Sequence, residues 1–134
     1  MESIKNFYQT KNILFFMKPV NYLYMEKRPW GTFFVIQENT SYKIKRIEVD
    51  PGKRLSYQYH NKRSEVWVII QGNGVITLND EPRNYSVGDT ILIPQGMKHR
   101  IENRGTETTI FIEVQTGSYF GEDDIVRLDD DYNR

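Results

Sequence analysis

The chain has 134 residues, of which 38% are hydrophobic and 27% are charged, values typical of one globular domain. Eighteen basic and eighteen acidic residues give a formal net charge of zero, which argues against nucleic acid or an anionic membrane as partner. Because the chain has no cysteine, disulfides, thiolate metal sites and thiol catalysis are excluded. The apolar run at residues 13–17 is too short to cross a membrane, so we expect a cytoplasmic protein.

Two parts of unequal size are expected. Residues 1–24 mix polar residues with six aromatic ones and show neither helical nor strand periodicity, so we interpret them as an N-terminal arm of uncertain role. Residues 25–134 form the single compact domain. Its last part is expected to be a short C-terminal tail or helix, and the acidic residues at 122–124 could open the helix, because carboxylates suit a helix N-terminus.

From residue 32 onward, short apolar stretches alternate with turn residues at intervals of about eight to twelve residues. No long amphipathic helical pattern interrupts them, so the fold class is all-β, either a sandwich or a closed double-sheet barrel. The predicted strands are 32–37, 42–49, 55–60, 65–70, 74–78, 83–85, 90–93, 99–103 and 109–115.

A candidate metal site lies within residues 52–103. Gln58 and His60 are two residues apart on one predicted strand and therefore point to the same face. Glu65 opens the next strand after a short turn that returns it towards His60, and His99 opens a later strand that could close the site. Imidazole, carboxylate and amide ligands suit one divalent ion, Zn²⁺ first, with Mn²⁺, Co²⁺, Ni²⁺ or Fe²⁺ as alternatives. The competing interpretation is that both histidines are merely packed or surface residues.

Two motifs in this region resemble the cupin superfamily. Gly52, five residues, Gln58-Tyr59-His60, four residues, Glu65, six residues and Gly72 resemble its first motif, with Gln58 where many members carry histidine. The second motif is matched at every fixed position by Gly88, five residues, Pro94-Gln95-Gly96, two residues, His99, three residues and Asn103. The resemblance implies a double-stranded β-helix, or jelly-roll barrel, with the metal ligands Gln58, His60, Glu65 and His99.

A narrower resemblance covers nearly everything after residue 27. It rests on Arg28-Pro29-Trp30-Gly31, Arg63-Ser64-Glu65, Ile112-Glu113-Val114-Gln115 and Glu122-Asp123-Asp124-Ile125-Val126-Arg127. These segments are similar to the C-terminal cupin domain of type II mannose-6-phosphate isomerases, which many members fuse to a mannose-1-phosphate guanylyltransferase. The resemblance implies a mannose-6-phosphate isomerase. Because the chain is too short for a nucleotidyltransferase and has no Gly-rich phosphate loop, we expect no guanylyltransferase activity. Asn61, Lys62 and Val66 occupy positions that are often histidine in the family.

Aldose–ketose isomerisation through a cis-enediol needs an electrophile, a base and a phosphate anchor. Lys45 and Glu113 are the candidate bases, with Glu48 as a weaker one, although Glu113 faces solvent if its apolar neighbours fill the core. Arg54 and Arg63 are the expected phosphate anchors, because guanidinium binds phosphate through two hydrogen bonds. Arg63 and Lys45 are assigned both catalytic and substrate-binding roles.

Two other functions remain open from the sequence. The barrel could be a non-catalytic sugar-binding or regulatory cupin, or a metal-dependent dioxygenase. The expected ligand is a small sugar phosphate, and a homodimer is expected because pairing covers exposed sheet edges.

Overall fold

The computed structural model describes residues 21–134, and all regular secondary structure in that range is β-strand. The order along the chain is β1 (Tyr24–Arg28), β2 (Gly31–Glu38), β3 (Tyr42–Val49), β4 (Tyr57–Tyr59), β5 (Arg63–Gln71), β6 (Gly74–Leu78), β7 (Glu81–Tyr85), β8 (Thr90–Ile93), β9 (His99–Glu102), β10 (Thr109–Gly117) and β11 (Val126–Asp129). Within residues 21–134, no helix is long and apolar enough to cross a lipid bilayer.

The strands form two antiparallel sheets that face each other. The larger sheet has the order β1-β2-β3-β10-β5-β8, and the smaller has the order β11-β4-β9-β6-β7. Side chains alternate between buried and partly exposed along β2, β3 and β5, as expected for strands with one face on a core. The expected all-β fold with two facing sheets is therefore confirmed.

The inner face of the larger sheet is apolar at one end and polar at the other. Along each of its three central strands, buried apolar residues give way to buried charged or amide residues. The apolar set is Ile47, Val49, Trp67, Ile69 and Phe111, and the polar set is Lys43, Lys45, Arg63, Glu65, Glu113 and Gln115. Buried polar groups need partners, so this end of the barrel is where a site is expected.

Two strands differ from the sequence-based expectation. The segment expected to start a C-terminal helix forms a turn, in which the Asp124 amide bonds to the Gly121 carbonyl, and then continues as β11. β11 pairs with β4, so sheet hydrogen bonding replaces the helix. β1 was not predicted and pairs with β2 at the edge of the larger sheet. The proposed arm at residues 1–24 lies mostly outside the described residues.

Candidate metal centre and cavity

Four side chains from three strand regions meet at the polar end of the barrel. Gln58 lies on β4 directly opposite His99, the first residue of β9. His60 follows β4 immediately, and Glu65 lies on the inner face of β5. Glu65 and both histidines are at most 3% exposed, and Gln58 is 8% exposed. His60, Glu65 and His99 can each present one ligand atom within 4.8 Å of the others.

The two histidines are held in the tautomer that metal coordination requires. His60 Nδ1 lies 2.7 Å from the Asp124 carbonyl oxygen, and His99 Nδ1 lies 2.8 Å from that of Met97. A carbonyl oxygen only accepts, so each Nδ1 carries a hydrogen, and in the neutral ring Nε2 keeps its lone pair. Burial lowers the pKa of His99, because removal from water disfavours the imidazolium, and this outweighs the attraction of Glu65.

These nitrogen lone pairs face a carboxylate. His60 Nε2 lies 3.1 Å from Glu65 Oε1, and His99 Nε2 lies 3.8 Å from Glu65 Oε2. His99 Nε2 is buried without a hydrogen-bond partner among residues 21–134. Ligand atoms about 2.1 Å from a tetrahedral ion are separated by about 3.4 Å, so the observed spacings fit a bound divalent ion. The three residues fit a metal centre, and the donor set does not identify the metal.

Glu65 is fixed by two further donors. The Trp67 indole N–H donates to Oε2 at 2.9 Å, and Arg63 Nε donates to Oε1 at 3.1 Å. Burial acts to raise the pKa of Glu65, but the adjacent His60 and His99 outweigh it and hold the pKa well below its ordinary value. The carboxylate is therefore ionised and oriented towards the two histidines.

Glu113 points into the barrel, contrary to the solvent-facing orientation that its apolar neighbours suggested. It is 4% exposed and lies between Lys45 on β3 and Trp67 on β5. Burial raises the pKa of Glu113 well above its ordinary value, and the charge of Glu65 raises it further. Lys45 is also buried. Its amine forms an ion pair with Glu122 and lies over the Phe33 ring.

The structure places only one of the two expected phosphate anchors, Arg63, beside the metal centre. Arg63 lies beside the centre, with Nη2 3.4 Å from His60 Nε2, so its guanidinium is occupied by the ligand residues. Arg54 does not line the cavity: its guanidinium donates to Asp131 at 2.7 and 2.8 Å and to Glu102 at 3.2 Å. Arg54 precedes β4 and is held by these acidic residues, so the structure does not bring it to the ligand face with the other predicted site residues.

Several site residues were missed by the sequence analysis. Asp124 organises the turn after β4: its carboxylate accepts hydrogen bonds from the Asn61 and Lys62 amides while its carbonyl orients His60. Arg28, Arg127 and Arg134 line the cavity together with Glu122. Most of these residues come from the C-terminal segment that was interpreted as a helix, and only pairing with β4 brings them to the site.

The positions where related sequences often carry histidine lie outside the cavity. Asn61 and Lys62 are exposed, and Val66 is on the outer face of β5 opposite Leu92. Their identity therefore removes no group from the metal centre.

A cavity of about 60 Å³ opens above the centre. It is lined by Gln58, His60 and Glu65 at its base, and by five basic and three acidic side chains in all. An ion and its water ligands fit inside this volume, while a larger ligand would extend into the mouth.

Fold and site together define a cupin barrel with a candidate divalent-metal centre. The chain belongs to the family described as mannose-6-phosphate isomerase C-terminal, whose sequence model matches residues 19–130. It is 43% identical over 107 residues to the xanthan biosynthesis protein XanB of Xanthomonas campestris pv. campestris (strain B100) and, equally, to a mannose-1-phosphate guanylyltransferase of Salmonella montevideo. Each match covers 80% of this chain but 23% of the relative, so the chain spans about a quarter of their length.

Solved structures agree with the fold. A protein from Acidithiobacillus ferrooxidans, provisionally named a sugar phosphate isomerase, has a TM-score of 0.54 and 27% identity, covering 57% of this chain and 50% of that one. The cupin domain of Schizosaccharomyces pombe Cnp3 has a TM-score of 0.61 at 18% identity and covers 64% of each chain, which shows the fold alone.

The relatives correct one expectation. We expected a mannose-6-phosphate isomerase with no guanylyltransferase activity. The curated relatives include proteins named mannose-1-phosphate guanylyltransferase, so guanylyl transfer is the activity that their names carry. The expectation is wrong as stated. The comparisons show that this chain belongs to the same cupin domain family as the matching part of these proteins.

Proposed function

We propose that this domain catalyses metal-dependent aldose–ketose isomerisation of a sugar phosphate, the reaction class that interconverts mannose 6-phosphate and fructose 6-phosphate. One observation carries the proposal: two histidine Nε2 atoms and the Glu65 carboxylate converge beneath a cavity with more basic than acidic side chains. The family description and the Acidithiobacillus ferrooxidans structure support it.

The reaction transfers a proton between C1 and C2 through a cis-enediol. His60, Glu65 and His99, with Gln58 as a fourth ligand, would hold the divalent ion. Bound there, the ion would supply Lewis-acid stabilisation of the negative charge that develops on the sugar oxygens, a contribution of several kcal/mol.

We assign the proton transfer to Glu113. A carboxyl with a raised pKa accepts and returns a proton near neutral pH more effectively than an ordinary one. The Gln115 amide donates to Glu113 Oε1 at 3.0 Å, which fixes its orientation. Lys45 lies opposite Glu113 but is paired with Glu122, so we assign it to positioning and charge balance rather than to proton transfer.

The test uses the full chain, stripped with chelator and reloaded with Zn²⁺, Mn²⁺, Co²⁺, Ni²⁺ or Fe²⁺ in turn. Fructose 6-phosphate formation from mannose 6-phosphate is followed by a coupled assay, and NMR in D₂O follows solvent deuterium entering C1 or C2. We expect metal-dependent turnover, loss of stoichiometric metal in His99→Ala, and a loss of about 10²- to 10⁴-fold in kcat for Glu113→Gln with metal content unchanged.

Saturable sugar-phosphate binding by metal-loaded protein, with neither turnover nor deuterium incorporation, would refute the isomerase and favour a non-catalytic sugar-binding cupin. Oxygen consumption with the Fe²⁺ form would favour a dioxygenase. Undiminished metal content in His99→Ala would refute the ligand assignment.

A further inference from the structure

Arg127 presents an unsatisfied donor at the cavity. On β11 it lies directly opposite Gln58 on β4, and directly opposed residues of an antiparallel pair project to the same face. Its Nε atom is buried and has no hydrogen-bond partner among residues 21–134. A buried N–H of a charged group without an acceptor is costly and calls for an explanation. Since Arg127 lines the cavity, its guanidinium can donate to an anionic ligand there.

Two further arginines line the same cavity and are fixed in place. Arg28 donates to Glu26 and lies over the Phe33 ring, with 5.4 Å from Cζ to the ring centroid. Arg134 donates through Nε and Nη2 to the Asp130 carboxylate. Their side chains are 26% and 22% exposed, which places them nearer the mouth than the metal ligands. Each guanidinium has five N–H donors, so both keep donors for a ligand.

The three guanidiniums also repel one another. Burial lowers the pKa of Arg127, and the charges of Arg134 and Arg28 lower it further, although Asp130 and Glu122 act in the opposite direction. A dianion placed among them would relieve this repulsion, and guanidinium is the side chain best matched to phosphate.

The other cationic groups near the centre are already engaged. Arg63 bonds to Glu65, and Lys45 pairs with Glu122. Among the cationic side chains at the site, Arg127 is therefore the one whose charge is least compensated by acceptor groups.

We propose that Arg127, with Arg28 and Arg134, forms the subsite that binds the phosphate group of the sugar phosphate at the cavity mouth. The proposal rests on the proposed function for the identity of the ligand. Directly opposed residues have Cα atoms about 4.5–5.5 Å apart, so the arginine subsite begins about one side chain from Gln58 and the metal centre. This arrangement suits a ligand that is polar at its carbonyl end and carries a phosphate at the other.

The experiment measures binding separately from turnover. Fructose 6-phosphate, fructose and inorganic phosphate are each titrated into the full chain by calorimetry, with Zn²⁺ bound and after chelation. Arg127→Gln is compared with Arg46→Gln, a matched control whose side chain pairs with Glu48 on the outer face of β3. We expect Arg127→Gln to weaken fructose 6-phosphate and inorganic phosphate by about ten- to hundredfold, with fructose affinity and metal content unchanged. Arg46→Gln should change none of these.

Arg127→Lys should recover part of the affinity, because it restores the charge without the two-pronged geometry. Arg28→Gln gives a second variant at the same subsite if Arg127→Gln does not fold. Equal fructose 6-phosphate affinity in Arg127→Gln, Arg28→Gln and Arg46→Gln would overturn the subsite, even if the wild-type protein is an active isomerase. If Arg127→Gln selectively loses phosphate affinity while the wild-type protein shows no turnover, the subsite would be supported and the isomerase refuted.

Discussion

Asp124 is predicted to couple the stability of the barrel to its affinity for metal. Its carboxylate accepts hydrogen bonds from the Asn61 amide at 3.1 Å and the Lys62 amide at 2.9 Å, and its backbone carbonyl accepts from His60 Nδ1. Asp124→Ala removes both carboxylate bonds but leaves the carbonyl in place. The turn that carries His60 then loses its anchor while the ligand itself is untouched.

The expected magnitude follows from these two bonds. Hydrogen bonds to a charged group contribute about 1.5–3 kcal/mol each, and water can partly replace them because Asn61 and Lys62 are exposed. We therefore expect Asp124→Ala to lower the free energy of unfolding by about 2–3 kcal/mol. Residues that orient a metal-binding histidine typically change metal affinity by about 10- to 100-fold, and we expect a loss in that range.

Urea unfolding monitored in chelator gives the stability change without a contribution from bound metal, and competitive titration with a metal indicator gives the affinity. Asp123→Ala is the matched control, because Asp123 is exposed and bonds only to Tyr119 among the described side chains. Its unfolding free energy should stay within about 0.5 kcal/mol of wild type. If the two alanine variants behave alike in both measurements, the assigned role of Asp124 is wrong.

Two further predictions concern the rest of the barrel. Asn103 is 2% exposed, donates to two backbone carbonyls and accepts from the Gly105 amide. Asn103→Ala should therefore lower the free energy of unfolding in urea by about 2–4 kcal/mol without changing the metal content. An unchanged urea midpoint would contradict this. We expect a second copy to cover the outer face of the larger sheet, which carries Ile112 and Val114 at its centre. Light scattering should then give twice the 16.0 kDa chain mass for wild type and a monomer for Val114→Lys, whereas a monomeric wild type would contradict it.

The strand pattern was predictable because turn residues and alternation agree along most of the chain. Each of the nine predicted strands has a counterpart, and 42–49, 74–78 and 90–93 match to the residue. The candidate ligands are also brought together by local rules. A short connection returns Glu65 to His60, and the β4–β9 register sets His99 opposite Gln58. These contacts depend on period-two geometry and short turns, both of which are visible in a sequence.

The face of Glu113 was not predictable from alternation alone. Its neighbours Ile112 and Val114 looked like core residues, yet they lie on the outer face, because this sheet is apolar outside as well as inside. Arg54 lies away from the cavity for a different reason. Arg54 is four residues before Gln58 and would point to the same face in a continuous strand. Residues 53–56 are not a regular strand, so strand alternation does not set the direction of the Arg54 side chain. Both differences in position arise where a pattern is extended without knowledge of the pairing partner.

The C-terminal segment shows that the site depends on the pairing of β11 with β4. The spacing of the ligand residues gives the metal centre, but its surroundings come from residues after β10: Asp124 orients His60, Glu122 pairs with Lys45, and Arg127 faces the cavity beside Gln58. None of these positions is close in sequence to the ligands, and each reaches the site because β11 pairs with β4. A weakened β11 should therefore impair metal orientation and anion binding together, whereas changes confined to β7, the edge strand that pairs with β6, should affect neither.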